Sequence, residues 1–318
     1  MGWSIGGVIL SVVVVSVLGL LFVGERGRLM LPSTLKMVKV MGWRRNLNLT
    51  ALHGYIYGRW TNRYLNFVIH QVLPRLGPRG KKRLANGYHG KVLTLPQAEA
   101  IITINERIDI RKLSEQILPF SKARELIING PPDVAAIECG CRNAREQHCM
   151  PTQVCLAIGK DFVDFAVEHN PQTTRRLSQE EAVELLRAEH ERGHYHSAWF
   201  REACMGRFYA ICNCCKCCCC GVENMIKYGI QNVISSGYVA MIDPVKCQVC
   251  GVCVQACAFN ALAITNGKVY VEWDKCLGCG VCQGQCPDQA IALQRDARKG
   301  KPLDVDLLMR TMSSKLSN

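Results

Sequence analysis

The sequence predicts an α+β fold in three parts: an N-terminal single transmembrane helix, an upstream cysteine-rich α+β domain and a C-terminal domain of two similar halves. Three observations predict it. Residues 3–23 are apolar and free of charge, the 318 residues include 20 cysteines, and the last eight cysteines form two runs of identical spacing. Cysteines in CxxC, CxC and CC patterns favour metal binding in a reducing compartment over a disulfide framework.

The apolar run at the N-terminus predicts a membrane anchor over residues 1–24. A helix of 21 residues rising 1.5 Å per residue spans about 30 Å, the thickness of a hydrocarbon core. A cleaved signal peptide would need a basic segment before the run, and only Met1 and Gly2 precede it. The basic residues that follow at once place the rest of the chain on the cytoplasmic side of the cytoplasmic membrane, as a single-pass protein. They are Arg26, Arg28, Lys36 and Lys39.

Residues 25–91 predict a basic segment at the membrane surface. They hold 14 lysines and arginines and one acid, Glu25, and so account for the whole net charge of +13. Residues 59–76 repeat apolar side chains at helical spacing, as in a helix that lies on a bilayer. We therefore expect the lipid bilayer as a partner of this segment and do not expect nucleic acid, although a plain basic linker remains the alternative.

The last eight cysteines predict two [4Fe–4S] clusters. Each run has the pattern C-x2-C-x2-C-x3-C, in which three thiolates hold one cubane and the fourth crosses to the other. Three cysteines at two-residue intervals on a tight loop can each meet a different iron, so the fourth ligand has to come from the other half. A pair of zinc knuckles would not need this repeated spacing. The ligands of cluster 1 are Cys247, Cys250, Cys253 and Cys286, and those of cluster 2 are Cys276, Cys279, Cys282 and Cys257.

The residues around the two runs form an internal repeat. Alternating residues before each run predict short strands, and Asn266-Gly267 predicts a hairpin turn between the halves. Residues 237–293 closely resemble the bacterial two-cluster ferredoxin domain, with Ala258 where that family usually has proline. The resemblance implies a ferredoxin-like domain over residues 235–295. The apolar residues of the tail, 296–318, predict that it packs or frays, with a helix that docks a partner as the alternative.

The other twelve cysteines lie upstream, in a predicted metal or Fe–S domain over residues 135–234 that follows a helical linker over residues 92–134. One four-thiolate set is Cys139, Cys141, Cys149 and Cys155. A second is Cys212, Cys214, Cys215 and one of the following four cysteines, with Cys218 preferred, and the two sets could exchange members. Adjacent cysteines on a strand point to opposite sides, so the whole run cannot face one metal. We expect one or two additional [4Fe–4S] clusters, with zinc as the alternative.

Residues 135–293 also resemble a group of bacterial 4Fe–4S-binding proteins that combine CxCR and ICNCCxCC segments with a two-cluster ferredoxin. The resemblance implies that these modules belong together in one protein. We expect a membrane-anchored relay of single electrons between a soluble donor or acceptor and a quinone- or haem-containing membrane subunit. The alternative is a catalytic iron–sulfur reductase whose open-site cluster lies among residues 139–220. No sequence motif for nucleotide or flavin binding is present.

Overall fold

The computed structural model describes residues 5–28, 30–41, 49–106, 108–109, 117, 127–128, 130–204, 206–305 and 307–308. The structure is mixed α/β. Its strands are β1 (Tyr88–Leu93), β2 (Ile108–Asp109), β3 (Ile127–Ile128), β4 (Val134–Glu138), β5 (Gln153–Ile158), β6 (Thr174–Leu177), β7 (Tyr195–Arg201), β8 (Arg207–Cys214), β9 (Val233–Ile234), β10 (Tyr238–Ile242), β11 (Leu262–Thr265), β12 (Lys268–Val271) and β13 (Ile291–Arg295).

Seven of these strands form one sheet in the order β6-β4-β5-β8-β7-β1-β9. All neighbours run antiparallel except β1 and β9, which are parallel. Strands β7 and β8 are largely buried because they lie inside the sheet. The three adjacent strands β4, β5 and β8 all carry or adjoin cysteines, so the sheet brings distant parts of the sequence together.

The α-helices are α1 (Ile5–Gly24), α2 (Pro32–Met41), α3 (Leu49–Arg59), α4 (Thr61–Phe67), α5 (Pro78–Gly87), α6 (Leu95–Thr103), α7 (Gly140–Asn143), α8 (Lys160–His169), α9 (Gln179–Glu191), α10 (Cys220–Ile226), α11 (Val252–Ala256) and α12 (Val281–Gly284). Helices α6 and α9 each begin with a capping box, in which a Thr or Ser side chain and a Gln or Glu three residues on satisfy two backbone amides. These two helices pack together over one face of the sheet.

The predicted transmembrane anchor is wrong, and with it the predicted fold class and membrane localisation. Among the helices in the described part of the chain, none has both the length and the apolar character needed to cross a membrane. Helix α1 begins at Ile5 and ends at Gly24. Its C-terminal end is fixed to the protein, because the Gly24 carbonyl accepts a hydrogen bond from Arg59 and the following Glu25 is buried beneath Tyr55 and Thr34.

The predicted interfacial helix over residues 59–76 also packs on the protein. It consists of α4, a π-turn over Val68–Val72 and a 3-10 turn over Leu73–Arg75. Its apolar face, formed by Leu65, Ile69 and Leu73, is buried against the part of the chain that includes Ala144 and Ile230. Helical periodicity reveals that a segment has an apolar face but not whether lipid or protein covers it.

The two predicted boundaries of the helical linker fall at different positions relative to the strands of the sheet. The boundary at 91/92 falls inside β1, while the boundary at 134/135 falls at the start of β4. Within the linker, α6 is helical as expected, whereas residues 107, 110–116, 118–126 and 129 lie outside the described residues. The tail packs where it is described, since Leu303, Val305 and Leu308 are buried against the α6–α9 face.

Candidate metal centres

The two halves of the C-terminal domain repeat the same backbone turns. A left-handed glycine precedes each short helix, at Gly251 with φ +81° and at Gly280 with φ +83°. Two residues earlier, Val249 and Gly278 have φ +56° and +64°. Left-handed residues of this kind let a loop curl tightly enough to direct several side chains to one point. The strands β10 and β13 pair across the halves, and β11 and β12 form the hairpin that the sequence predicts.

The four cysteines predicted for cluster 1 line one small cavity. Cys253 is buried, Cys250 is exposed, and Cys247 and Cys286 lie between these extremes. The rest of the lining is mainly apolar, from Ile242, Val252, Val269 and Ile291. The cluster 1 cavity therefore reaches the protein surface at Cys250.

The four cysteines predicted for cluster 2 line a second cavity, and all four are buried. Burial raises the pKa of Cys279 to about 12 and also raises that of Cys282, because a thiolate loses the stabilisation of water. Such thiols are protonated without metal, so metal binding here has to release protons.

The donor set of both cavities fits a cubane. Each cavity offers four thiols and an apolar wall, the environment in which proteins hold Fe–S clusters. Backbone amides donate to the crossing sulfurs at equivalent positions, from Ala261 to Cys257 Sγ at 3.2 Å and from Ala290 to Cys286 Sγ at 3.3 Å. Hydrogen bonds to cluster sulfurs are one of the means by which a protein sets a reduction potential.

Seven upstream thiols line a third cavity, against the seven-stranded sheet, and one of them, Cys215, also belongs to a second group described below. The other six form one group. Strands β5 and β8 supply three of them, the β4–α7 segment supplies two, and the residue before α10 supplies the last. They are Cys139, Cys141, Cys155, Cys212, Cys214 and Cys219, which we call the inner thiols. Most are buried, and the sheet register sets their positions, with Cys155 opposite Ile137 on β4.

Hydrogen bonds among the inner thiols shift the pKa values of individual thiols. Bonds from Cys141 and Cys155 hold the pKa of Cys139 well below its usual value. Bonds from Cys212 and Cys219 do the same for Cys214. Thiols whose pKa is lowered in this way give up their protons more readily, and a thiolate-rich site suits iron–sulfur or zinc chemistry.

A second upstream group comprises Cys149, Cys215, Cys217 and Cys218, which we call the outer thiols, and of these Cys215 also lines the inner-thiol cavity. Their four sulfurs all lie within 4.8 Å of one another. The structure thus groups the predicted upstream ligands differently from either predicted set. Cys149 joins Cys215 and Cys218, while Cys212 and Cys214 join the inner thiols.

Sequence reasoning missed Cys217 and Cys219 as individual members of these groups. It treated the run after Cys212 as a strand, but β8 ends at Cys214 and the chain then turns. In a turn, adjacent side chains can face the same point, so Cys217 and Cys218 belong to one group. The signal available was the change from the continuous apolar run over residues 208–211 to a run made almost entirely of cysteines.

A buried ion pair supports the inner thiols. Arg142, directly after Cys141, donates to Glu189 Oε2 at 2.7 Å and to the Asn213 carbonyl at 3.2 Å. Burial alone would lower the pKa of Arg142, but the Glu189 carboxylate outweighs it and raises that pKa. Burial would raise the pKa of Glu189, but His194 and Arg142 together hold it below its usual value. The predicted cation of the CxCR segment is thus an internal support rather than a surface charge.

One hydrophobic core joins the inner thiols to the cluster 2 cavity. The Tyr195 hydroxyl lies 3.5 Å from Cys219 Sγ, and the Tyr195 ring lies 4.9 Å from the Phe259 ring, centroid to centroid. Phe259 itself lines the cluster 2 cavity. A buried aromatic bridge thus connects the two regions.

Comparison with known families identifies the C-terminal domain. Residues 269–292, which contain four of the eight cysteines in the two runs, match the family described as the 4Fe-4S binding domain. No curated protein matches the chain. With the cysteine groups described above, this match shows that the chain is an iron–sulfur protein that binds a 4Fe–4S cluster, with a general role in electron transfer.

Proposed function

We propose that this protein carries single electrons between a partner redox protein and a buried iron–sulfur centre held by inner thiols. Two [4Fe–4S] clusters in the C-terminal domain would lie on the way. The observation that carries the proposal is the buried bridge from the cluster 2 cavity through Phe259 and Tyr195 to Cys219.

Eight cysteines would hold the two clusters of the C-terminal domain, in the crossed arrangement expected from their spacing. Four of the six inner thiols would hold a third. When bound, a [4Fe–4S] cluster supplies a site that accepts and returns one electron at a time. The protein's own part is to hold the thiolates, exclude water and donate backbone hydrogen bonds to the sulfurs.

The exposed Cys250 marks the end of the route at which a partner would dock. Apolar side chains surround this end, since Val245 is 88% exposed and Ile264 is 46% exposed beside Gly251. Large exposed apolar residues next to a redox centre favour docking of another protein. The proposal covers electron flow in either direction.

The proposal is tested by reducing the anaerobically purified full chain with reduced methyl viologen and freezing samples for EPR. Phe259→Ala should slow reduction of the upstream centre several-fold and leave the two C-terminal centres at their wild-type rates. Phe67→Ala, at an exposed position of α4 outside the proposed route, is the control and should change little. Equal upstream rates in wild type and Phe259→Ala would contradict the proposed route, and Phe259→Leu repeats the test if the alanine variant does not fold.

A second candidate function, a catalytic iron–sulfur reductase, is favoured by one observation. A cavity of about 820 Å³, within the range of small-molecule sites, lies between the N-terminal helices and the sheet. It shares Tyr57, Tyr209 and Glu138 with the wall of the inner-thiol cavity. The two tyrosine hydroxyls are 3.1 Å apart, and burial raises the pKa of both, so both keep their protons at neutral pH.

Such a reductase would transfer two electrons and two protons to an apolar disulfide, breaking the S–S bond to give two thiols. Oxidised lipoamide is a suitable probe. Turnover by the pre-reduced chain that Cys155→Ser abolishes and Cys220→Ser leaves intact would favour the reductase. No turnover by wild type, with all centres reduced, would reject it.

A further inference from the structure

The four outer thiols form the tightest group of potential metal ligands in the described part of the chain. Cys149 Sγ lies 2.8 Å from Cys217 Sγ, and Cys217 Sγ lies 3.4 Å from Cys218 Sγ. Cys149 comes from the loop after α7, and the other three come from the turn between β8 and α10. The group thus joins two segments that are 66 residues or more apart.

The spacing of these sulfurs suits one ion rather than a cluster. With Zn–S bonds of about 2.3 Å, the sulfurs of a tetrahedral site lie roughly 3.8 Å apart. All four outer sulfurs lie within 4.8 Å of one another. A cubane holds its thiolates farther apart, because each binds a separate iron. Among the described residues, no three cysteines of the C-terminal domain are packed within the same limit, although their cavities fit cubanes.

The surroundings hold the outer thiols in place. The Arg145 guanidinium lies 3.4 Å from the Cys218 carbonyl and pairs with Glu223 on α10. The Cys219 amide donates to the Cys215 carbonyl at 3.3 Å, which closes the turn. Lys216 Nζ donates to the Gln255 carbonyl at 3.2 Å, which fixes the same turn to the C-terminal domain.

We infer that Cys149, Cys215, Cys217 and Cys218 hold a single structural zinc ion. Binding would convert four thiols and Zn²⁺ into a tetrathiolate complex of charge −2, with release of four protons. Four cysteines leave no open coordination position, as in structural rather than catalytic zinc sites. The ion would fasten the loop after Cys141 to the turn after Cys214, and so brace both segments that carry inner thiols.

The test measures zinc, iron and acid-labile sulfide in the anaerobically purified full chain and in three serine variants. Wild type should hold about one zinc per chain. Cys217→Ser, at an exposed position, should lose the zinc and keep its iron. Cys220→Ser, in the same run but outside the group, should keep both. Cys149→Ser should behave as Cys217→Ser does, which provides a second variant if the first fails to fold.

A spectroscopic measurement separates this site from the iron centres. Chain reconstituted with iron, sulfide and Co²⁺ should show the intense visible bands of tetrahedral cobalt thiolate, absent in Cys217→Ser. Absence of zinc from wild type, a single non-sulfide iron in its place, or loss of about four irons in Cys217→Ser would each overturn the inference. The zinc and cobalt readouts report this site alone, whereas iron and EPR report the proposed relay.

Discussion

The C-terminal domain and the upstream cysteine region hold their thiols by different means. In the C-terminal domain, two short loops with matching left-handed residues point three thiols each at one cavity. In the upstream region, strands of a sheet and the buried Arg142–Glu189 pair set the thiols in place. Thiol geometry therefore depends on turn conformation in one region and on sheet packing in the other, so different substitutions should disrupt each.

The largest effect we expect is loss of a whole cluster from the C-terminal domain. Cys279→Ser removes a ligand from a fully buried cavity, so about four irons should be lost while the other centres remain. Iron and sulfide analysis of the anaerobic protein measures this. Cys220→Ser, equally buried but outside every group, is the control and should lose none. Equal iron in the two variants would contradict the assignment of Cys279.

The buried ion pair should be the next most sensitive feature. Glu189→Ala leaves Arg142 charged and unpaired in the interior, which costs about 3–5 kcal/mol of unfolding free energy. Denaturant unfolding under anaerobic conditions measures this loss. Glu184→Ala, at an exposed position of the same helix, should change stability by less than about 0.5 kcal/mol. Equal effects of the two substitutions would mean that the pair does not support the sheet.

A fall in pH should lower the stability of the upstream sheet, because it favours protonation of His89, on β1. Burial lowers the pKa of His89 from 6.5 to about 4, so the folded sheet holds it neutral. Its contribution is fully present above pH 6.5 and is lost as pH falls from 6.5 to 4, by about 3 kcal/mol in all. His89→Gln should reduce the slope of the stability profile over that range, while His196, whose pKa burial also lowers to about 4, continues to contribute. An unchanged slope of stability against pH in His89→Gln would show that His89 does not titrate as described. The C-terminal domain has no histidine and should not contribute to this slope.

A turn substitution should affect the C-terminal domain more modestly. Gly278 has φ +64°, and an added Cβ would meet the Tyr238 carbonyl at 2.1 Å, so Gly278→Ala should cost about 2 kcal/mol and weaken retention of cluster 2. Gly267→Ala, at φ +68° with open space around it, carries only the backbone strain of about 1 kcal/mol. Thermal unfolding of the two variants compares them. Equal losses of stability in Gly278→Ala and Gly267→Ala would mean that the close approach of the Tyr238 carbonyl adds nothing to the cost of backbone strain.

The same contrast explains how much the sequence could predict. The ligand sets of the C-terminal domain could be assigned because each trio of cysteines is local, and the structure gathers Cys276, Cys279 and Cys282 around one cavity. The upstream groups depend on which strands pair, and nothing near Cys149 in the sequence indicates that it meets Cys217. The bridge formed by Tyr195 and Phe259 likewise joins residues 64 apart in the chain.

The predicted membrane anchor in the N-terminal region was wrong for a related reason. A charge-free run and a helical apolar face, such as that of Leu65 and Ile69, show that a segment must be covered. They do not show by what. For the face that includes Leu65 and Ile69 the covering partner is the protein itself, which composition alone does not distinguish from lipid.

The most direct test of the central claim is the number of irons per chain, with EPR of the reduced protein. The account predicts about twelve irons and twelve sulfides in anaerobically purified full chain, with three distinct reduced centres and one zinc. About eight irons and only two reduced centres would contradict it, because the inner thiols would then hold no cluster and the electron route would end in the C-terminal domain.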